Sequence, residues 1–137
     1  MASMTRKLLW LFCAMLVSGG AWSSGGSVTV VYFIPFEIET YLPVTKDAIE
    51  CSAHEVWVVA GTEQQVQLQR FLENGEAAAF DEKRVRAKIV SPFGNAFIDA
   101  TGVAQTASSS LRVDRGKFKA LIVQGGLRNE SNPRRGC

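Results

Sequence analysis

Residues 27–34 read Ser-Val-Thr-Val-Val-Tyr-Phe-Ile and stop at Pro35, a β-branched and aromatic run that predicts a strand. Alternation places Val28, Val30, Tyr32 and Ile34 on one face and Val31 and Phe33 on the other. Both faces are therefore apolar, which suits a strand inside a sheet. Residues 36–43 form a loop carrying Glu37, Glu39 and Tyr41. Thr45 then stands as an N-cap for a helix of two turns at most over residues 46–51. Residues 55–60, Glu-Val-Trp-Val-Val-Ala, predict a second strand that ends at Gly61.

Two signals compete over residues 62–73. Leu68, Phe71 and Leu72 lie at helical spacing, with Thr62 as a cap and Asn74-Gly75 as a stop, whereas Gln65-Val66-Gln67-Leu68-Gln69 alternates as a half-buried strand does. The Gln-, Glu- and Leu-rich composition favours helix. Residues 84–90 alternate more regularly, with Val85, Ala87 and Ile89 opposite Arg84, Arg86 and Lys88. Turn residues at 91–95 lead to a partner strand over 96–101, a bend or bulge at Gly102, and a further edge strand over 103–111. Asp114 caps a closing helix whose buried stripe is Phe118, Leu121 and Ile122, although residues 117–120 also alternate and Gly116 weakens the first turn.

This order predicts an α+β fold: a small two-layer domain with an antiparallel or mixed sheet of 4–5 strands and two or three helices. The region ahead of it is of another kind. Arg6 and Lys7 precede an apolar run over residues 8–17, which is shorter than the roughly 20 residues a membrane-spanning helix needs. Small Ala21 and Ser23 follow at the spacing a signal peptidase reads. The expected organisation is a cleaved signal peptide over residues 1–23, a single domain over 24–126 and a flexible basic tail over 127–137. The mature chain has no transmembrane anchor in this reading, and its expected location is secreted or periplasmic.

Charge is unevenly distributed along the expected mature chain. Residues 24–82 carry ten acids and two bases, and residues 83–137 carry eleven bases and three acids. The halves nearly cancel, so attraction between them during docking is expected, and the persistent basic excess of a nucleic-acid binder is missing. No nucleic-acid partner is expected.

Candidate chemistry is sparse. Cys51 and Cys137 are the cysteines outside the leader. An oxidising compartment invites a disulfide between them, with free or intermolecular thiols as the alternatives. His54, the single histidine, lies near Cys51, the pair a cysteine hydrolase would need; a structural or surface role for both is the competing reading. One histidine and two distant cysteines do not make a zinc set, and neither Glu37 with Glu39 nor Asp81 with Glu82 has the spacing of a calcium loop. No metal or cofactor is expected. Asn129-Glu130-Ser131 fits the glycosylation acceptor pattern.

Arg84, Arg86 and Lys88 would form an anion-binding row on one sheet face, unless the acids of residues 37–82 neutralise them. Arg112, Arg115, Lys117 and Lys119 would extend such a row. The function expected overall is that of a small exported binding or interaction protein without catalysis, acting on a protein partner as an inhibitor, immunity-like factor or envelope accessory protein. Alternatives are an anion-binding module using Arg84, Arg86 and Lys88, and a hydrolase using Cys51 and His54. Expression in an export-competent host should yield a chain whose intact mass corresponds to cleavage after Ser23, or two to four residues earlier. An exported chain that retains Met1 would refute the leader.

Overall fold

The computed structural model describes residues 27–129. The expected leader, Cys137 and the tail from residue 130 lie outside them. Eight strands are present among the described residues: β1 (Thr29–Phe33), β2 (Glu55–Val59), β3 (Glu76–Ala77), β4 (Val85–Ser91), β5 (Gly94–Asp99), β6 (Val103–Gln105), β7 (Ser110–Arg112) and β8 (Leu127–Asn129). They form one sheet in the order β3-β7-β6-β5-β4-β1-β2-β8, and every pairing is antiparallel. Three helices accompany them: α1 (Ile49–Ser52), α2 (Thr62–Leu72) and α3 (Arg115–Gly125). The architecture is α+β, but the strand count exceeds the expected four or five. β3 and β8 are two and three residues long, too short to show a periodicity, and the single edge strand expected over 103–111 is a hairpin of β6 and β7.

Cross-strand register defines the two faces. Val31 lies opposite Trp57 and Ile89, and Phe33 lies opposite Ala87. With Ala96, Ile98 and Ala104 they meet Leu68 and Leu72 of α2 and Phe118 and Ile122 of α3 in the main core. α2 leaves β2 near one edge of the sheet and delivers the chain to β3 at the other, whereas α3 returns from β7 to β8. The two crossovers therefore run antiparallel over the same face, with Gln64 of α2 against Gly125 of α3 and Phe71 stacked at 6.4 Å from Phe118. Burying Gln65, Leu68 and Leu72 gives α2 a helical stripe. The Gln65 amide donates to the carbonyls of Ser27 and Ala60, both at 3.1 Å, and its oxygen accepts from the Thr29 hydroxyl at 2.8 Å. The strand-like alternation is thus a helix with a glutamine facing inward.

On the opposite face, α1 packs across β4 and β1. Ile49, Ile34, Val44 and Val85 form a second core there, with Ile38, Phe80 and Phe97 against it. The predicted common face for Val85, Ala87 and Ile89 is broken. Register shifts between Val85 and Ala87, where Asp99 and Ile98 are their respective partners, so Arg86 is an inserted bulge residue and Val85 joins the second core. Gly61, not Thr62, is the N-cap of α2. Asp114 caps α3 as expected, its Oδ1 accepting from the Lys117 amide at 2.9 Å. β8 lies at Leu127–Asn129, within the stretch expected as the tail.

Asp99 has no exposure. Its Oδ1 accepts from the Thr101 amide, the Thr101 hydroxyl and the Val103 amide, and its Oδ2 from the Asp81 amide, all within 2.9 Å. One carboxylate thereby ties the approach to β4 to the β5–β6 turn, where Gly102 takes the positive φ of 91° that the reversal requires. Replacing Asp99 by Ala strands several buried donors, each costing about 1–3 kcal/mol. Asp99→Ala should lower unfolding stability by at least about 2 kcal/mol in a urea titration; a loss below about 0.5 kcal/mol would show that water replaces the carboxylate.

Candidate ligand-binding groove and the predicted site residues

Because α2 and α3 lie side by side and antiparallel, their seam runs from Gln64 and Gln124 at one end to Arg70 and Lys117 at the other. The seam opens as a groove of about 440 Å³ lined by residues that include Gln67, Arg70, Phe71, Asn74, Lys117 and Leu121, with Arg112, Val113 and Asp114 also in its lining. A smaller hollow of about 140 Å³ continues it along Gln64, Gln67, Leu121, Gln124 and Gly125. Gly75 lets the chain turn from α2 into β3 beside this end, since a Cβ there would stand 2.2 Å from the Arg112 carbonyl oxygen. Phe71 and Leu121 are half-buried, while Arg70 and Lys117 are exposed. No ion pair reaches Arg70, Arg112 or Lys117 among the described residues. The Asp114 carboxylate is engaged as the α3 cap.

The predicted cationic row has a different fate. Arg84 is exposed, but Arg86 is only 4% exposed. The Arg86 Nη1 donates to the Val85 carbonyl at 3.2 Å, and its Nε is buried without a partner among the described residues. Burial, and then the neighbouring Arg84 charge, hold the Arg86 guanidinium below its ordinary pKa, with Asp81 opposing them. Lys88 pairs with Glu50 of α1 at 2.8 Å, both side chains about 80% removed from solvent. It also stands 5.8 Å from the Phe97 ring centre. The bulge and α1 together break up the row: one cation is exposed, one buried and one neutralised.

Lys46 is held in a similar way, 5.3 and 5.2 Å from the ring centres of Phe80 and Phe97, bonded to Gln105 and 3.8 Å from Glu82. Lys119 meets Glu37 at 3.9 Å and Arg128 meets Glu55 at 3.5 Å. Three ion pairs thus connect acids of the first half to bases of the second. Arg115 lies over Phe36, 5.6 Å from the ring centre, and donates to the Ala100 carbonyl at 3.1 Å. A shallow cleft of about 460 Å³ beside it is lined by Phe36, Glu37, Asp114, Arg115, Gly116 and Lys119.

Cys51 lies in α1, and its sulfur is disulfide-bonded; its expected partner Cys137 lies outside the described residues. His54 lies between α1 and β2, its amide donating to the Phe33 carbonyl at 3.1 Å and its Nδ1 buried without a partner among the described residues. Neither residue lines the clefts described above, and a bonded sulfur is no nucleophile. No group of three or more metal-ligating side chains occurs among the described residues, and none of their helices is long and apolar enough to cross a membrane. Lys117 was expected beside the strand cations; its place in one groove with Arg70 is not legible in the sequence, because the two are 47 positions apart and share a lining only through the antiparallel crossovers.

Comparison of the chain with protein-family models, curated proteins and solved structures finds no match. Removing a buried guanidinium that forms no ion pair among the described residues should cost little. Arg86→Met is expected to leave unfolding stability within about 1 kcal/mol of the parent or to raise it, as read by urea titration. A loss above about 3 kcal/mol would mean that the guanidinium is itself a structural tie.

Proposed function

We propose that this chain is a small exported interaction domain without catalytic chemistry, which presents one half of its sheet to a protein partner. The observation that carries this reading is a cross-strand row of apolar side chains. Val90 lies opposite Val30, Val30 opposite Val58, and Val58 opposite Leu127, so four strands contribute to one line on the face that α1 occupies elsewhere. Val30, Val58 and Val90 are half-buried. Leu127 is 78% exposed and Val28 40% exposed.

A contiguous apolar patch on a sheet face is the kind of surface that partners cover, and the second core fills the other part of this same face. Support for export comes from the cationic head and short apolar run ahead of the domain. The bonded state of Cys51 weighs in the same direction, since disulfides persist in oxidising compartments. The disulfide at Cys51 removes the thiolate that hydrolysis through Cys51 and His54 would need.

Affinity capture from the compartment that holds the processed protein tests this reading with Leu127→Asp/Val28→Asp, two exposed positions. A protein should be retained by the parent, rebind it at one to one when purified, and bind the double variant at least tenfold more weakly, a difference of about 1.4 kcal/mol. Equal binding of parent and variant to every retained protein would eliminate the sheet face as the contact.

A further inference from the structure

The seam between α2 and α3 lies on the opposite side of the sheet from the apolar row, and its chemistry is different. We propose that it is a binding site for one small organic anion, whose charged head sits between Arg70 and Lys117 and whose apolar body lies over Phe71 and Leu121. Three observations meet there. The groove, at about 440 Å³, is within the roughly 300–1,000 Å³ of small-molecule sites. Its cations are drawn from two helices, and no carboxylate of the described residues pairs with either. Lys46, Lys88, Lys119 and Arg128, by contrast, all have acidic partners.

The composition of the seam sets the ligand class. Half-buried Phe71 and Leu121 supply apolar contact, while Gln64, Gln67 and Gln124 along the continuing hollow offer amide donors and acceptors. A bare inorganic anion would leave the apolar wall unused, and a neutral hydrocarbon would leave two cations uncompensated. An aryl or alkyl carboxylate, sulfonate or phosphate monoester satisfies both. These head groups share their chemistry here, since each is a fork of anionic oxygens for a guanidinium and an ammonium.

The test uses the purified protein and the fluorescent aryl sulfonate 8-anilinonaphthalene-1-sulfonate, titrated against the parent, Arg70→Gln/Lys117→Gln and Lys83→Gln/Arg84→Gln. The last variant removes the same charge from two exposed cations elsewhere. Saturable binding at one site is expected for the parent and for Lys83→Gln/Arg84→Gln. Arg70→Gln/Lys117→Gln should bind at least tenfold more weakly, with an unchanged thermal unfolding midpoint. Phenylphosphate and benzoate should displace the probe, inorganic phosphate at equal concentration should not, and added salt should weaken binding to the parent more than to Arg70→Gln/Lys117→Gln. Equal affinity in both variants, non-saturating binding, or equal affinity for the neutral N-phenyl-1-naphthylamine would overturn the proposal.

Discussion

Phe118 is where the domain closes on itself. Its ring stands 5.6 Å from that of Phe33 on β1, 6.2 Å from Phe36 in the loop that follows, and 6.4 Å from Phe71 on α2. Phe33 and Phe36 also meet edge to face at 5.2 Å. Such pairs contribute about 0.5–1.5 kcal/mol each beyond their buried area, and this cluster joins both crossover helices to β1, an interior strand of the sheet. The crossovers carry the chain to β3 and β8, the two edges, so sheet width and helix packing depend on one another. The seam that forms the candidate anion site follows from the same antiparallel docking.

Electrostatics is organised around that scaffold without creating it. The acidic first half and basic second half meet through Glu50 with Lys88, Glu37 with Lys119 and Glu55 with Arg128. The first of these is well shielded from water, and the other two are more exposed and contribute correspondingly little. Neutralisation is uneven in space. The best-shielded pair lies where α1 covers β4, and the cations along the α2–α3 seam have no ion pair among the described residues. The outcome is a domain with two dissimilar surfaces, an apolar line across four strands and a partly apolar groove with a cationic end.

Much of the local structure was legible in the sequence. The run at residues 27–34, the alternating meander from residue 84 and the Asp114 cap are short-range signals, and each corresponds to an observed element. Gln65 shows where such signals mislead: it reads as solvent-facing, yet three hydrogen bonds make it part of the core. Arg86 misleads in a similar way, since unbroken alternation leaves no room for a bulge that buries an arginine. Asp99 resembles any surface carboxylate until three separate backbone amides are brought to it.

The sequence by itself determined the secondary-structure types of the longer segments, the separation of charge between the halves and the leader-like opening, because each depends on residues near one another along the chain. Only the tertiary structure decided which faces are shared, which cations are neutralised and which side chains border the groove. Those outcomes depend on how far apart along the chain the contacting residues lie. Edge strands of two or three residues owe their existence to a neighbour's unpaired amides and carbonyls, and nothing within so short a segment can announce that neighbour.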